Sequence, residues 1–218
     1  MGRYNVSKQV SFILIMMVLI VMITGCSSAE FNKAMENGKQ ALSEGKYDDA
    51  IKYFQKAVEL KPNSEEAKKA LEEAIKKKDF KSYIKTVAPT MQSILEISTK
   101  WDSLRQQSTQ GVITDIEFGM QTMDLATKMR QTVEELESIS LNLKEPLKSI
   151  HELLISSAEQ NVNGLTEVIS AIDQGDYSKI TSANNYLSEA RKYERQYVDK
   201  LQELAKEIGI DLNELLPN

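Results

Sequence analysis

The only histidine of the chain, His151, has no second histidine, cysteine or clustered carboxylate at ligand spacing. Neither a tetrahedral zinc site nor the paired Glu-x-x-His pattern of a bundle di-iron centre can be assembled around it. It is expected as a partly exposed helix residue. Met120, Met123 and Met129 could offer thioethers to Cu(I), but they sit at core spacing on one helix, where methionine is a common gap filler. No metal and no cofactor is therefore expected. Tyr186, Tyr193 and Tyr197 share one stripe, and Trp101 belongs near it if the helices that carry them are neighbours. Such a rigid aromatic patch can form a recognition surface; the plainer alternative is tyrosines at a helix seam with hydroxyls at the rim. Glu194 is a carboxylate in a row whose other members are apolar or aromatic, and burying it unpaired would cost several kcal/mol. Folding the chain back about Gly175-Asp176 sets Ser157 near Glu194 and Asn161 near Ala190. A polar layer is expected there, with Glu194 bonded to Ser157, Asn161 or a trapped water, unless the seam opens and Glu194 reaches solvent. No nucleophile elbow, phosphate-cradling glycine loop or catalytic carboxylate pair can be read, so no enzyme is expected.

What places these residues in a cell is the start of the chain. Arg3 and Lys8 precede an unbroken apolar run from Phe12 to Ile23, and small residues then lead to Cys26, the only cysteine. The run is shorter than the roughly 20 apolar residues that cross a bilayer, and the layout is that of a cleavable secretory signal. Ile23-Thr24-Gly25-Cys26 resembles the lipobox of bacterial lipoproteins. That resemblance covers residues 1–28 and implies that Cys26 is acylated through sulfur and becomes the new N-terminus. A diacylglyceryl anchor supplies the two chains that stable membrane residence needs. It implies the outer face of the cytoplasmic membrane or, with Ser27 rather than an aspartate after the cysteine, the outer membrane if the organism has two.

The full chain has 27 basic and 32 acidic residues, a net charge of -5; without Arg3 and Lys8 the balance is 25 against 32, or -7. No basic patch is available to neutralise phosphates, which argues against nucleic acid as a partner.

The elements that must position the candidate residues are all helical. From Phe31 to Ser64 the pattern reads as a hairpin, with Gly38 and Ala41 on one helix, Gly45-Lys46-Tyr47 at the turn, and Ala50, Phe54 and Ala57 on a second helix that stops before Pro62. These residues fall at the spacings of a tetratricopeptide repeat, which the segment resembles, with Ala34 where the family places a large aromatic. A helix from Ser64 follows, and Lys78-Asp79-Phe80 echoes the Gly45-Lys46-Tyr47 turn, so a partial second repeat is expected to begin there.

Four long periodic segments fill the remainder. They run from Phe80 to Thr109 with Pro89 inside, from a capping box at Thr114 to Asn142, from Pro146 to Gly175, and from Ile180 to Gly209. Similar lengths and short connections predict an up-down-up-down antiparallel arrangement. The expectation is thus an all-α protein: a cleaved signal (1–25), a tetratricopeptide-like hairpin with its following helix (26–79), a four-helix bundle (80–209) and a short tail (210–218). The favoured function is a membrane-anchored, non-enzymatic interaction or scaffold lipoprotein with an envelope protein as partner. The alternatives are a small-molecule sensor or binding lipoprotein with a site inside the bundle, and a cell-envelope enzyme of unfamiliar type.

Overall fold

The computed structural model describes residues 28–212, and these are all-α, with no strand among them. The leader with Cys26, and the last six residues of the tail, lie outside the described residues. Six helices follow one another: α1 (28–43), α2 (Tyr47–Leu60), α3 (Glu65–Thr109), α4 (Asp115–Ser140), α5 (Leu147–Gln174) and α6 (Lys179–Glu207). The chain divides into two compact units between Asp79 and Phe80.

In the first unit α1 and α2 form a hairpin. Gly45 turns the chain with a positive φ of 68°, and the Lys46 amide donates to the Ala41 carbonyl. The two helices approach so closely at Gly38 that a Cβ there would sit 2.5 Å from the Phe54 ring. Phe54, Ala50 and Ala57 are fully buried, together with Ala67 and Ala74 from the start of α3. Small residues on all three faces let one phenyl ring fill the middle, where a larger side chain would force the helices apart. Lys39 pairs with Glu66 and Lys78 with Asp48 on the surface, contacts that add little stability in water.

One sequence expectation fails here. Lys78-Asp79-Phe80 does not turn: α3 is a single 45-residue helix that begins on Ser64, whose Oγ accepts from the Ala67 amide, and passes through both that segment and Pro89. The apolar stripe of α3 changes phase between Ala74 and Phe80, which imitates a break, yet nothing in Lys76-Lys77-Lys78-Asp79 interrupts helical hydrogen bonding.

The second unit is a helical bundle. Thr90 meets Glu135 and Trp101 meets Phe118; Leu136 meets His151 and Arg130 meets Thr166; Ser157 meets Ala190 and Ser170 meets Lys179. In each set residue numbers fall on one helix as they rise on the next, so successive helices run antiparallel. Their common core includes Val87, Leu136, Leu154, Leu165 and Tyr197. Helix ends are set locally. Thr114 caps α4 in a reciprocal box with Glu117, its Oγ1 accepting from the Glu117 amide at 3.2 Å while its own amide donates to the Glu117 carboxylate at 2.8 Å. Gly175 closes α5 in the left-handed conformation with φ 63°. At Gly164 α5 lies close against α6, since a Cβ there would lie 2.7 Å from Leu187 and 3.2 Å from the Ala183 carbonyl.

Candidate functional site

A groove of about 560 Å³ opens along the bundle between α3, α5 and α6. One wall is a continuous face of α3 carrying Met91, Ile94, Leu95, Ser98, Trp101 and Arg105; the opposite wall is the Asn184, Leu187, Arg191, Glu194 and Val198 face of α6. Spacings of three and four put each set on one side of its helix. The floor is Leu154, Ser157 and Asn161 of α5, with Tyr197 beside it. Leu154, Leu187 and Tyr197 are buried, so the base is apolar, whereas Arg191, Glu194 and Asn184 stand in water at the lip. A concave, largely apolar cleft with a few convergent polar groups is the usual form of a small-molecule site.

Beneath the groove runs a buried chain of polar side chains. Tyr197 Oη is 3.1 Å from Tyr83 Oη and 3.6 Å from Met91 Sδ; Tyr83 Oη is 3.1 Å from His151 Nδ1; and His151 Nε2 is 2.8 Å from the Leu136 carbonyl oxygen. A carbonyl only accepts, so Nε2 carries a proton and donates. In the neutral ring Nδ1 then accepts from the Tyr83 hydroxyl. Burial holds the His151 pKa below the ordinary imidazole value, against the opposing Leu136 hydrogen bond and the Glu152 charge. Burial likewise raises both phenols, Tyr197 to about 12, so each is a neutral hydroxyl at physiological pH. The chain joins residues of α3, α4, α5 and α6, and no buried side-chain nitrogen or oxygen among the described residues lacks a partner.

Of the residues singled out from sequence, Trp101, Ser157, Asn161, Glu194 and Tyr197 all line this groove. Tyr186 and Tyr193 do not. The aromatic patch is not formed as such, because Tyr197 is 1% exposed with its hydroxyl turned inward, Tyr186 faces solvent, and Trp101 stacks on Phe118 at 5.8 Å between ring centroids. The polar layer takes a different form too. Ser157 Oγ donates to the Ala190 carbonyl at 2.9 Å, and Glu194 has no hydrogen bond or ion pair among the described residues; it is exposed, because the groove removes the cover that would have buried it.

Two further expectations are corrected. His151 is fully buried, not partly exposed; it lies four residues after Leu147 and three before Leu154, on the buried arc, and that spacing was the available signal. Met120 and Met123 are 68% and 54% exposed while Met129 is buried, so the three form no thioether cluster and only Met129 is core. Thr122 and Thr132 take the core face of α4 instead, their hydroxyls bonded to the Phe118 and Lys128 carbonyls.

Among the described residues no group of three or more His, Cys, Asp or Glu side chains could hold a metal ion, and no helix is long and apolar enough to cross a membrane. Comparison with protein-family profiles, with characterised proteins and with solved structures finds no match for the chain.

Proposed function

We propose that this chain is a lipid-anchored, extracytoplasmic binding protein without enzymatic activity, held to the membrane through Cys26 and taking a small molecule into the groove of its helical bundle. The observation that carries the binding part is the meeting of Trp101, Ser157, Asn161, Glu194 and Tyr197 around one cavity of about 560 Å³, a size usual for ligand sites. The anchor rests on the lipobox resemblance of Ile23-Thr24-Gly25-Cys26, and the tetratricopeptide-like hairpin is read as the part that meets another envelope protein.

A second reading, an interaction or scaffold lipoprotein, is favoured by the row Val112, Ile116, Met120 and Met123 on and just before α4, each more than half exposed. Apolar side chains repeating along one solvent face are a feature of contact surfaces.

Recovery of the full chain from membranes separates the readings. With wild type in the membrane fraction and Cys26→Ser either unprocessed or shed to the medium, the anchor stands; a Cys26→Ser protein still processed and still partitioning with detergent would place it elsewhere. A non-covalent small molecule recovered with the chain supports the binding reading. An envelope protein recovered instead, and lost in Met120→Glu/Met123→Glu, would replace it with the second.

A further inference from the structure

The groove has a shape and a polarity that select among ligands. Its α3 wall from Ala88 to Arg105 and its α6 wall from Asn184 to Val198 correspond to about 25 and 21 Å at 1.5 Å per residue. A groove of that length with an apolar base has room for an extended hydrocarbon chain lying along it.

Polarity changes along its length. α3 and α6 run in opposite directions, so the Trp101 end of one faces the Asn184 end of the other. At the far end lie Ala88, Met91, Leu154, Tyr197 and Val198, apolar apart from the inward-bonded Tyr197 hydroxyl, with the exposed Gln92 amide at the rim turned to Glu96 at 3.3 Å. At the near end are Asn161 and Asn184, whose amides make no hydrogen bond among the described residues, and the Asp102–Arg105 pair, closed on itself at 3.1 Å. Arg191, between the two ends, makes no ion pair among the described residues, and it is the cation left for an incoming group. Glu194, one turn further along, repels an anion from the apolar end.

We propose, on the basis of the binding reading above, that the groove takes a single-chain anionic amphiphile of the fatty-acid type. Its hydrocarbon chain lies over Met91, Leu154 and Tyr197, and its head is held by the Asn161 and Asn184 amides and the Arg191 guanidinium. Apolar burial along the chain supplies the affinity, and the charge-assisted bond to Arg191 sets orientation and head preference.

Trp101 is the only tryptophan of the chain and stands in the groove wall, so it reports occupancy directly. The full chain in phosphatidylcholine vesicles is titrated with a straight-chain fatty acid brominated in mid-chain, with the matching brominated alcohol, and with a bulky aromatic sulfonate dye. The expected result is saturable quenching of Trp101 by the acid. Ser98→Phe, which fills an exposed wall position of the groove without touching the core, should abolish it. Arg191→Gln should weaken the acid about tenfold, the loss of one charge-assisted bond, and leave the alcohol unchanged. Circular dichroism establishes that each variant is folded. Quenching that does not saturate, or that survives Ser98→Phe, overturns the proposal. Equal weakening of acid and alcohol by Arg191→Gln, or no change in either, overturns the head assignment. A saturable response to the dye alone overturns the ligand class and leaves the groove a binding site, whereas no response to any probe removes both.

Discussion

A lone histidine without metal-ligand neighbours is easily dismissed, and His151 shows what that overlooks: it is fully buried, with Leu136 behind it and Tyr83 and Tyr197 in front. A polar group can occupy a core when every donor and acceptor is met. The price is sensitivity to acid. The folded protein holds the His151 pKa below its ordinary value. The stability that depends on the neutral ring is therefore fully present above about pH 6.5, the unfolded value. It falls as pH drops below that, because the unfolded chain takes up a proton that the fold resists. Denaturant midpoints measured between pH 7.5 and 5.5 should fall for wild type and fall less for His151→Gln, whose amide can still donate to Leu136 and accept from Tyr83. Equal slopes for the two proteins would show that the ring does not control this window. Glu194 teaches the complementary lesson. Its row is apolar in sequence, yet the residue is wet, because burial depends on what the neighbouring helix leaves uncovered.

At the scale of elements, signals that act within one turn were legible and those that act between helices were not. Thr114 with Glu117, Gly175 and Gly209 stop or start helices by local hydrogen bonding and left-handed φ, and the ends of α4, α5 and α6 follow from them. The continuity of α3 was hidden by its change of stripe, and the true core face of α4 by Thr122 and Thr132, whose burial hydropathy cannot register once their hydroxyls bond the preceding turn. Gly164 belongs to the second kind: in sequence it is an isolated helix glycine, and in the fold it is a point of close packing between α5 and α6. Gly164→Ala should cost about 1–3 kcal/mol, as overpacking does when a backbone atom stands in the way, and thermal unfolding should show a lowered Tm. An unchanged Tm would mean that α6 can shift and that the helix spacing is not fixed there. Leu187, which the new methyl would press, also lines the groove, so the same variant should perturb Trp101 emission in the folded state.

At the scale of the whole molecule, one side of the helical bundle is left open as a groove with an apolar floor and polar lips. The all-α class was readable from periodicity, and so were five of the residues that come to share the groove. The groove itself was not, since it arises from side chains that fail to meet, and no spacing rule reports a gap. The most direct test is native mass spectrometry of the full chain extracted from its own membranes in a bulky steroid detergent, with wild type compared against Ser98→Phe. Wild type is expected to carry a non-covalent small-molecule adduct at near one per chain, above the mass of any covalent lipid, and the groove-filled variant to lack it. A wild type with no adduct, or one retained equally by Ser98→Phe, would show that the groove is not a binding site.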